Sequence, residues 1–198
     1  MPTTKIAAGL LLTISTAVAL SMPQMALAQD NEYAEALTAL AQGQLTEIVA
    51  DPIVIEAIVA QNAETGSYDQ AKIDELDLQW RAEVGASSRP LIDGVLGNAL
   101  SQYLAAAQTD AGGLFTEIFV MDAQGLNVGQ STITSDYWQG DEAKFQNSYG
   151  AGPGAIDLGE VELDESTQTF QSQVSVTVLD ASGAPIGAIT AGVDLSAL

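Results

Sequence analysis

The chain has 198 residues, with 26 acidic residues against 5 Lys and Arg, and it contains neither Cys nor His. Without those two residue types the sequence excludes Ser-His and Cys-His nucleophilic triads, Cys/His zinc sites, haem ligated by His or Cys, iron–sulfur clusters and disulfides. The net charge of -21 argues against binding to nucleic acid, which requires clustered basic side chains. The length suits one domain with accessory segments.

The first 28 residues have the three parts of a secretory signal peptide. Lys5 supplies a short positive region, residues 6–20 are apolar or small, and Ala26 and Ala28 are the small residues that a signal peptidase reads. The alternative is an uncleaved membrane anchor, but the apolar run is shorter than the roughly 20 residues of a spanning helix. We expect cleavage after Ala28 and a mature protein in the periplasm or outside the cell.

Residues 33–108 have the 3.6-residue period of amphipathic helices. Apolar side chains recur at spacings of three and four within residues 45–59, 73–84 and 91–104. Asp51, directly before Pro52, is a suitable cap for a helix that restarts there. Residues 67–70 have the pattern of a capping box at the start of the second run. The first part of the mature chain, residues 29–113, is therefore predicted to be helical.

After residue 113 the period changes to two, which is typical of strands. Residues 114–121 are apolar on both faces, and residues 168–179 alternate between apolar and polar side chains. Residues 186–195 form a last predicted strand. Helices followed by an antiparallel sheet in residues 114–198 predict the α+β fold class.

Two turns share one sequence pattern, in which Asp is followed by Ala, a polar residue and Gly. Asp122 and Gly125 frame the first turn, and Asp180 and Gly183 frame the second. Asp bonds its own backbone two residues on, and Gly tolerates positive φ, so both patterns indicate hairpin turns. Residues 122–125 superficially resemble a calcium loop, but the remaining ligand positions do not follow, and we expect no metal there.

Residues 132–158 have no period and contain the segment SDYWQGDEAKF at residues 135–145. With residues 48–62, 71–83, 117–144 and 185–195, this segment resembles the Cache (PAS-like, PDC) family of extracytoplasmic sensor domains, and most of all its small stand-alone secreted members. The resemblance implies long N-terminal helices, a five-stranded antiparallel sheet of PAS type, and a ligand pocket between one sheet face and the connection that carries the segment. It also implies binding of amino acids, amines or short carboxylates without chemistry on them.

The candidate ligand contacts within this segment are two aromatic walls and four charged groups: Tyr137, Trp138, Asp136, Asp141, Glu142 and Lys144. Aromatic faces with acidic neighbours suit a cationic amine. Lys144 would instead hold a carboxylate, and both features together would suit a zwitterion. Each residue also has a structural alternative, which is a core position for Trp138, a helix-start charge for Asp141 and a surface ion pair for Lys144.

Two further candidates lie outside the segment. Tyr149 would either close the mouth of the pocket or cap a loop. Asp180 would either point into the pocket, as the resemblance allows, or serve its turn alone.

An enzyme without His or Cys would need paired carboxylates. Asp141 and Glu142 are adjacent, so on a helix they point about 100° apart and would not flank one bond. We therefore expect no enzyme activity and no cofactor. The leading hypothesis is a sensing module that acts through a membrane-bound histidine kinase or chemoreceptor and dimerises through its N-terminal helices. The alternative is a non-catalytic secreted interaction protein that uses the polar face of residues 169–177.

Overall fold

The computed structural model describes residues 32–164 and 169–198, so the predicted signal peptide (1–28) lies outside the described residues. The helices are α1 (Ala34–Leu40), α2 (Thr46–Val49), α3 (Pro52–Thr65), α4 (Gln70–Glu83), α5 (Pro90–Leu96), α6 (Ala99–Asp110) and α7 (Ala143–Gln146), with a π-helical turn at Ala41–Leu45 between α1 and α2. The strands are β1 (Phe115–Asp122), β2 (Asn127–Gln130), β3 (Ile156–Leu158), β4 (Glu162–Asp164), β5 (Thr169–Leu179) and β6 (Pro185–Asp194). None of these helices is both long enough and apolar enough to cross a membrane.

The strands form one antiparallel sheet in the order β2-β1-β6-β5-β3, with β4 pairing to β5 beside β3. Ile156 of β3 is opposite Val176, and Leu163 of β4 is opposite Phe170, so the two short strands lie end to end along one edge of β5. Gly159 lies between them, and its N–H donates to the carbonyl of Gln173. The predicted α+β class and PAS-like sheet are confirmed, and the fifth strand position is divided between β3 and β4.

The two sheet faces carry different side chains, as a period of two requires. One face packs against α1, α3 and α6, where Ile58 and Leu104 meet Ile118, Val120 and Ile189 in the main core. On the opposite face a smaller cluster forms beneath α7 from Phe119, Met121, Phe145 and Ala188. A further cluster forms away from the main core, between α4, α5 and the residues on either side of β2: Ile73, Trp80, Ile92, Val95, Leu126 and Tyr137.

The helix starts agree with the sequence at one position and differ at two. Asp51 caps α3, since its Oδ1 accepts from the N–H of Ile53 at 3.0 Å, as predicted. The predicted capping box at 67–70 is wrong, because Asp69 is the cap of α4. The run at 91–104 is two helices, because α5 ends at Gly97 and the side chain of Asn98 caps α6.

The two Asp-to-Gly turns have one geometry. Asp122 Oδ1 accepts from the N–H groups two and four residues on, at 2.8 and 3.0 Å, and Asp180 Oδ1 does the same at 2.8 and 2.9 Å. Gly125 and Gly183 have φ values of 81° and 84°, which favour glycine. The prediction of two equivalent hairpin turns is confirmed.

Candidate functional site

A cavity of about 440 Å³ lies between the sheet face that carries α7 and the connection from Glu142 to β4. Strands β1 and β5 supply its floor, and the connection supplies its walls. The lining residues are Glu117, Glu142, Ala143, Lys144, Asp157, Gly159, Glu160, Glu162, Gln171, Ser172 and Gln173. The cavity thus lies between a sheet face and the long connection, which is the location that the family resemblance implies.

The charges around this cavity are unbalanced. Among the described residues, five carboxylates line it, on Glu117, Glu142, Asp157, Glu160 and Glu162, and the ammonium of Lys144 is the one cation. Within residues 32–164 and 169–198 no three acidic side chains are grouped closely enough to hold a metal ion. Such a lining attracts a cationic ligand and repels an anionic one.

The floor of the cavity depends on a glycine in the strand between β1 and β5. Gly192 of β6 is opposite Glu117 on one side and Gln173 on the other. Gln173 Nε2 donates a hydrogen bond of 2.9 Å to Glu117 Oε1 above this glycine. A Cβ on residue 192 would lie 2.3 Å from Thr116 Oγ1 and 3.0 Å from Glu117 Cγ. Gly192 therefore lets the two polar side chains meet.

Lys144 is held in place by three neighbours. Its Nζ lies 2.9 Å from Glu142 Oε2 and 3.3 Å from Gln139 Oε1, and it stands 5.4 Å from the centre of the Phe119 ring. The Lys144 side chain is only 16% exposed. The ion pair considered from the sequence is therefore present, and the same side chain also lines the cavity.

Tyr137 and Trp138 belong to the cluster with α4, away from the cavity lining. The Tyr137 ring stacks on Trp80 with centroids 5.3 Å apart and planes at 19°. Asp77 Oδ1 accepts from the backbone N–H of Tyr137 at 2.9 Å and of Trp138 at 3.1 Å. The indole N–H of Trp138 donates to the carbonyl of Gln124 at 2.8 Å. Burial raises the pKa of the Tyr137 phenol.

Asp136 joins the same segment to α4 through Arg81. The Arg81 guanidinium lies 3.3 Å from Asp136 Oδ2 and 2.7 Å from Asp77 Oδ2. The hydrogen bond to Asp77 raises the pKa of Arg81. Asp136 also accepts a hydrogen bond from Gln139. These contacts fix the connection against the helix.

The three remaining candidates lie elsewhere. Asp141 is exposed, and Tyr149 stacks on Phe145 at 5.1 Å beside the cluster under α7. Asp180 lies in its turn, where the hydrogen bond from Ser182 lowers the pKa of its carboxyl. Among the eight candidates, Glu142 and Lys144 line the cavity, and a ligand contact for each of the eight stays a prediction.

Sequence reasoning did not select Glu117 and Gln173 for the floor. The signal that could have found them is the period of two, since Gln171 and Gln173 share a polar face of β5. The sequence pattern predicts that face only as a partner surface. Glu117 lies in a run that is otherwise mostly apolar, and its register opposite Gly192 is set by the fold.

A second cavity, of about 420 Å³, lies on the helix side between the π-helical turn, α2 and β3. Ala41, Val49, Ile55, Ile156 and Leu179 contribute apolar side chains, and the lining contains no charged residue. It therefore lacks a group that would orient a charged ligand, and the acidic cavity is the better candidate site.

The chain is similar to solved structures of three bacterial sensory domains. For the V. cholerae histidine kinase DctB sensor domain the identity is 17%, the TM-score 0.39, and the coverage 83% of this chain and 58% of that one. For the ligand-binding domain of the Pseudomonas aeruginosa amino acid chemoreceptor PctC, in complex with GABA, the identity is 13% and the TM-score 0.40, and the match covers 72% of this chain and 58% of that one. For the Campylobacter jejuni chemoreceptor Tlp3 sensory domain, with isoleucine bound, the identity is 10% and the TM-score 0.37, and the match covers 80% of this chain and 62% of that one.

The chain thus spans about three fifths of the length of these domains. Each of these is a sensor or ligand-binding domain. No model of a known family matches the chain, and no curated protein matches it either.

Proposed function

We propose that this chain is an extracytoplasmic ligand-binding module that senses a small molecule carrying an amino group. The observation that carries the proposal is the cavity of about 440 Å³ with five carboxylates and one ammonium in its lining. Small-molecule sites in proteins occupy roughly 300–1,000 Å³, so an amino acid or a short diamine fits.

The partners of the lining groups indicate where each part of a ligand would bind. Glu142 is neutralised by Lys144, and Glu117 is bonded to the neutral amide of Gln173. Glu160 and Glu162 are exposed on the opposite wall. A ligand ammonium would therefore sit between Glu117 and that wall, and a ligand carboxylate would turn toward Lys144. A carboxylate without an amine would meet net repulsion.

The location and the partner of the module are supported by the sequence. The predicted signal peptide at residues 1–28 directs the chain out of the cytoplasm. A module that binds a ligand without converting it needs a second protein to report the bound state. We propose a membrane-bound histidine kinase or chemoreceptor as that second protein, with dimerisation through the N-terminal helices.

The test is a thermal-shift panel on the purified protein with putrescine, spermidine and GABA, and with butyrate and succinate as probes without an amine. A ligand at about 100 times its Kd stabilises the native state by ~2.7 kcal/mol, which raises the melting temperature of a domain of this size by about 5–10 °C. We expect such a shift for an amine and none for butyrate or succinate.

Two variants locate the site. Glu117→Gln removes one cavity carboxylate and should reduce the shift, whereas Glu56→Gln removes one exposed carboxylate from α3 and should leave it unchanged. A flat response across the whole panel, or a shift equally large for succinate, would contradict the proposal and favour the secreted interaction protein.

A further inference from the structure

The outer edge of the sheet at β4 is open. Within the described ranges β3 and β4 each pair with β5 alone, so no strand covers their other side. An unpaired edge presents backbone N–H and C=O groups, and proteins commonly cover or charge such an edge to prevent pairing with other chains.

This edge carries an apolar patch on one face. Glu162 of β4 lines the cavity, so Leu163 lies on the other face of the strand. Val161 directly precedes β4, and the same alternation in an extended chain places it on the side of Leu163. Phe170 is opposite Leu163 in the register and extends the same face. These three side chains, Val161, Leu163 and Phe170, are 38%, 48% and 55% exposed, and we call them the edge patch.

The fold itself does not need the edge patch. Val174 and Val176 continue the same face of β5 and are buried in the main core under the helices. Phe170 lies beyond that cover. Three neighbouring apolar side chains on a sheet edge are unfavourable in water, and contact with another molecule would bury them and lower the free energy.

The geometry points to an extended segment of a protein partner that adds to the edge at residues 160–163 as a further strand. Side chains of adjacent strands pair on each face. The added segment therefore presents apolar side chains beside Val161 and Leu163, and Lys or Arg side chains beside Glu160 and Glu162. The partner sequence therefore alternates apolar and basic residues. Such a segment binds both through backbone hydrogen bonds to the edge and through attraction between its basic side chains and the two carboxylates.

A second copy of this chain does not meet that requirement. The basic residues of the whole sequence are Lys5, Lys72, Arg81, Arg89 and Lys144. No two of them are closer than eight positions, so no segment of the chain alternates basic and apolar residues. Two copies meeting edge to edge would instead bring the carboxylates of residues 160 and 162 together, and like charges on adjacent strands repel. The partner is therefore a different protein.

The test measures fluorescence anisotropy of a short labelled peptide that alternates Lys and Val, in about 0.15 M salt to screen non-specific attraction. The control peptide has the same composition, with all Lys residues followed by all Val residues. We expect the alternating peptide to bind at least about tenfold more tightly than the control peptide, a difference of ~1.4 kcal/mol.

Protein variants then place the peptide. The double variant Leu163→Ser/Phe170→Ser should lose at least about nine tenths of the affinity, and Glu160→Gln/Glu162→Gln should lose the preference for Lys. Leu78→Ser is the matched control, because Leu78 is 68% exposed on α4 and lies away from this edge. All substituted positions are exposed, and circular dichroism melting curves confirm that each variant folds.

Three results would overturn the proposal. The first is equal binding of both peptides, which would show attraction by net charge alone. The second is an equal loss of affinity in Leu78→Ser. The third is a dimer in light scattering that becomes a monomer in Leu163→Ser/Phe170→Ser, which would make a second copy the occupant. Glu160 and Glu162 are shared with the cavity, whereas Leu163 and Phe170 are absent from its lining. A failure of the amine panel therefore leaves the Leu163→Ser/Phe170→Ser measurement interpretable.

Discussion

Glu117 and Gln173 are joined by a hydrogen bond of 2.9 Å although their strands, β1 and β5, are not neighbours. The bond passes above Gly192, whose missing side chain leaves room for it. Gly192→Ala would place a Cβ 3.0 Å from Glu117 Cγ and force the pair apart. We expect a loss of ~1–3 kcal/mol in the free energy of unfolding and a smaller amine-induced thermal shift.

The control for this substitution is Gly94→Ala in α5, where an added Cβ meets no atom within 4 Å. Alanine in an exposed helix is favoured over glycine by about 0.5–1 kcal/mol, so this variant should be more stable than the parent protein. Urea unfolding measures both. Equal stability of the two variants would mean that Gly192 is not under steric constraint.

Tyr137→Phe separates a packing role from ligand contact. The ring stacks on Trp80, and no hydrogen bond of its hydroxyl is found among the described residues. Phenylalanine keeps the stack, so we expect a change below about 1 kcal/mol, whereas Tyr137→Ala should cost ~3–5 kcal/mol. Thermal unfolding gives both values. An amine-induced shift that disappears in Tyr137→Phe would instead place the hydroxyl on the ligand.

Lys144→Gln should strengthen amine binding. The substitution removes the one cation of the cavity lining and leaves Glu142 without its partner at 2.9 Å. The cavity then becomes more negative, and about 1 kcal/mol of added attraction corresponds to roughly fivefold tighter binding. Isothermal titration calorimetry with putrescine, an amine without a carboxylate, measures the change.

The matched variant for Lys144 is Lys72→Gln. Lys72 is exposed on α4 and pairs with Glu75 three residues on, at 3.1 Å. Lys72→Gln removes one positive charge at a position outside the cavity, so the amine affinity should stay within about twofold. Weaker putrescine binding in Lys144→Gln would contradict this prediction, whereas weaker binding of GABA alone would place a ligand carboxylate at Lys144.

Glu83, the last residue of α4, caps the start of the next helix, α5. Its Oε2 accepts from the N–H groups of Leu91 and Ile92, at 2.8 and 3.0 Å, at the start of α5. Burial alone would raise the pKa of Glu83. The hydrogen bond from Gln79, the two N–H groups and nearby Arg89 outweigh burial and lower the pKa below its ordinary value of 4.5.

A carboxyl with a lowered pKa stabilises the fold above its ordinary pKa, and this contribution is lost as the pH falls through the folded-state value. Glu83→Gln should therefore lower the melting temperature at pH 7 by about 3 °C, and the difference from the parent protein should shrink toward pH 3. Calorimetry at the two pH values measures this. A difference that is unchanged at low pH would show that the charge of Glu83 does not contribute.

The two equivalent turns differ in burial, which makes them a natural pair for comparison. Asp122 is fully buried, and its Oδ2 also accepts from Gln61 at 2.9 Å and Thr65 at 2.8 Å. Asp122→Ala removes an acceptor that these two side chains and two backbone N–H groups share, at a cost of about 3 kcal/mol. Asp180→Ala leaves an exposed turn and should cost far less. Urea unfolding compares them, and equal costs would contradict the role of α3.

The sequence predicts those helices, strands and turns that are determined by residues close together along the chain. The change from a period near four to a period of two separates the helices from the long strands, and Asp51 and the two Asp-to-Gly turns act through their own backbone. It does not reveal β2, β3 and β4, which have only three or four residues and are stabilised by pairing with longer strands. A pattern of that length cannot show a period.

The candidate site is less predictable for the same reason. The segment at 135–145 is distinctive, but its first part is held against α4 by Asp77 and Arg81, which lie about 60 positions away and complete its hydrogen bonds. Register across three strands brings Glu117 and Gln173 together. Neither relationship is present in the spacing of residues along the chain.

The attachment of the connection to α4 has a mechanical consequence. Asp77 holds two backbone N–H groups of the connection, Arg81 holds Asp136, and the Trp80 indole N–H donates to the carbonyl of Thr134 at 2.9 Å. These four contacts, made by three side chains of α4, fasten the start of the connection to one helix, and its later part walls the acidic cavity. We therefore expect a displacement of that wall to be transmitted to α4, so that a movement at the cavity also moves this helix at the surface of the protein.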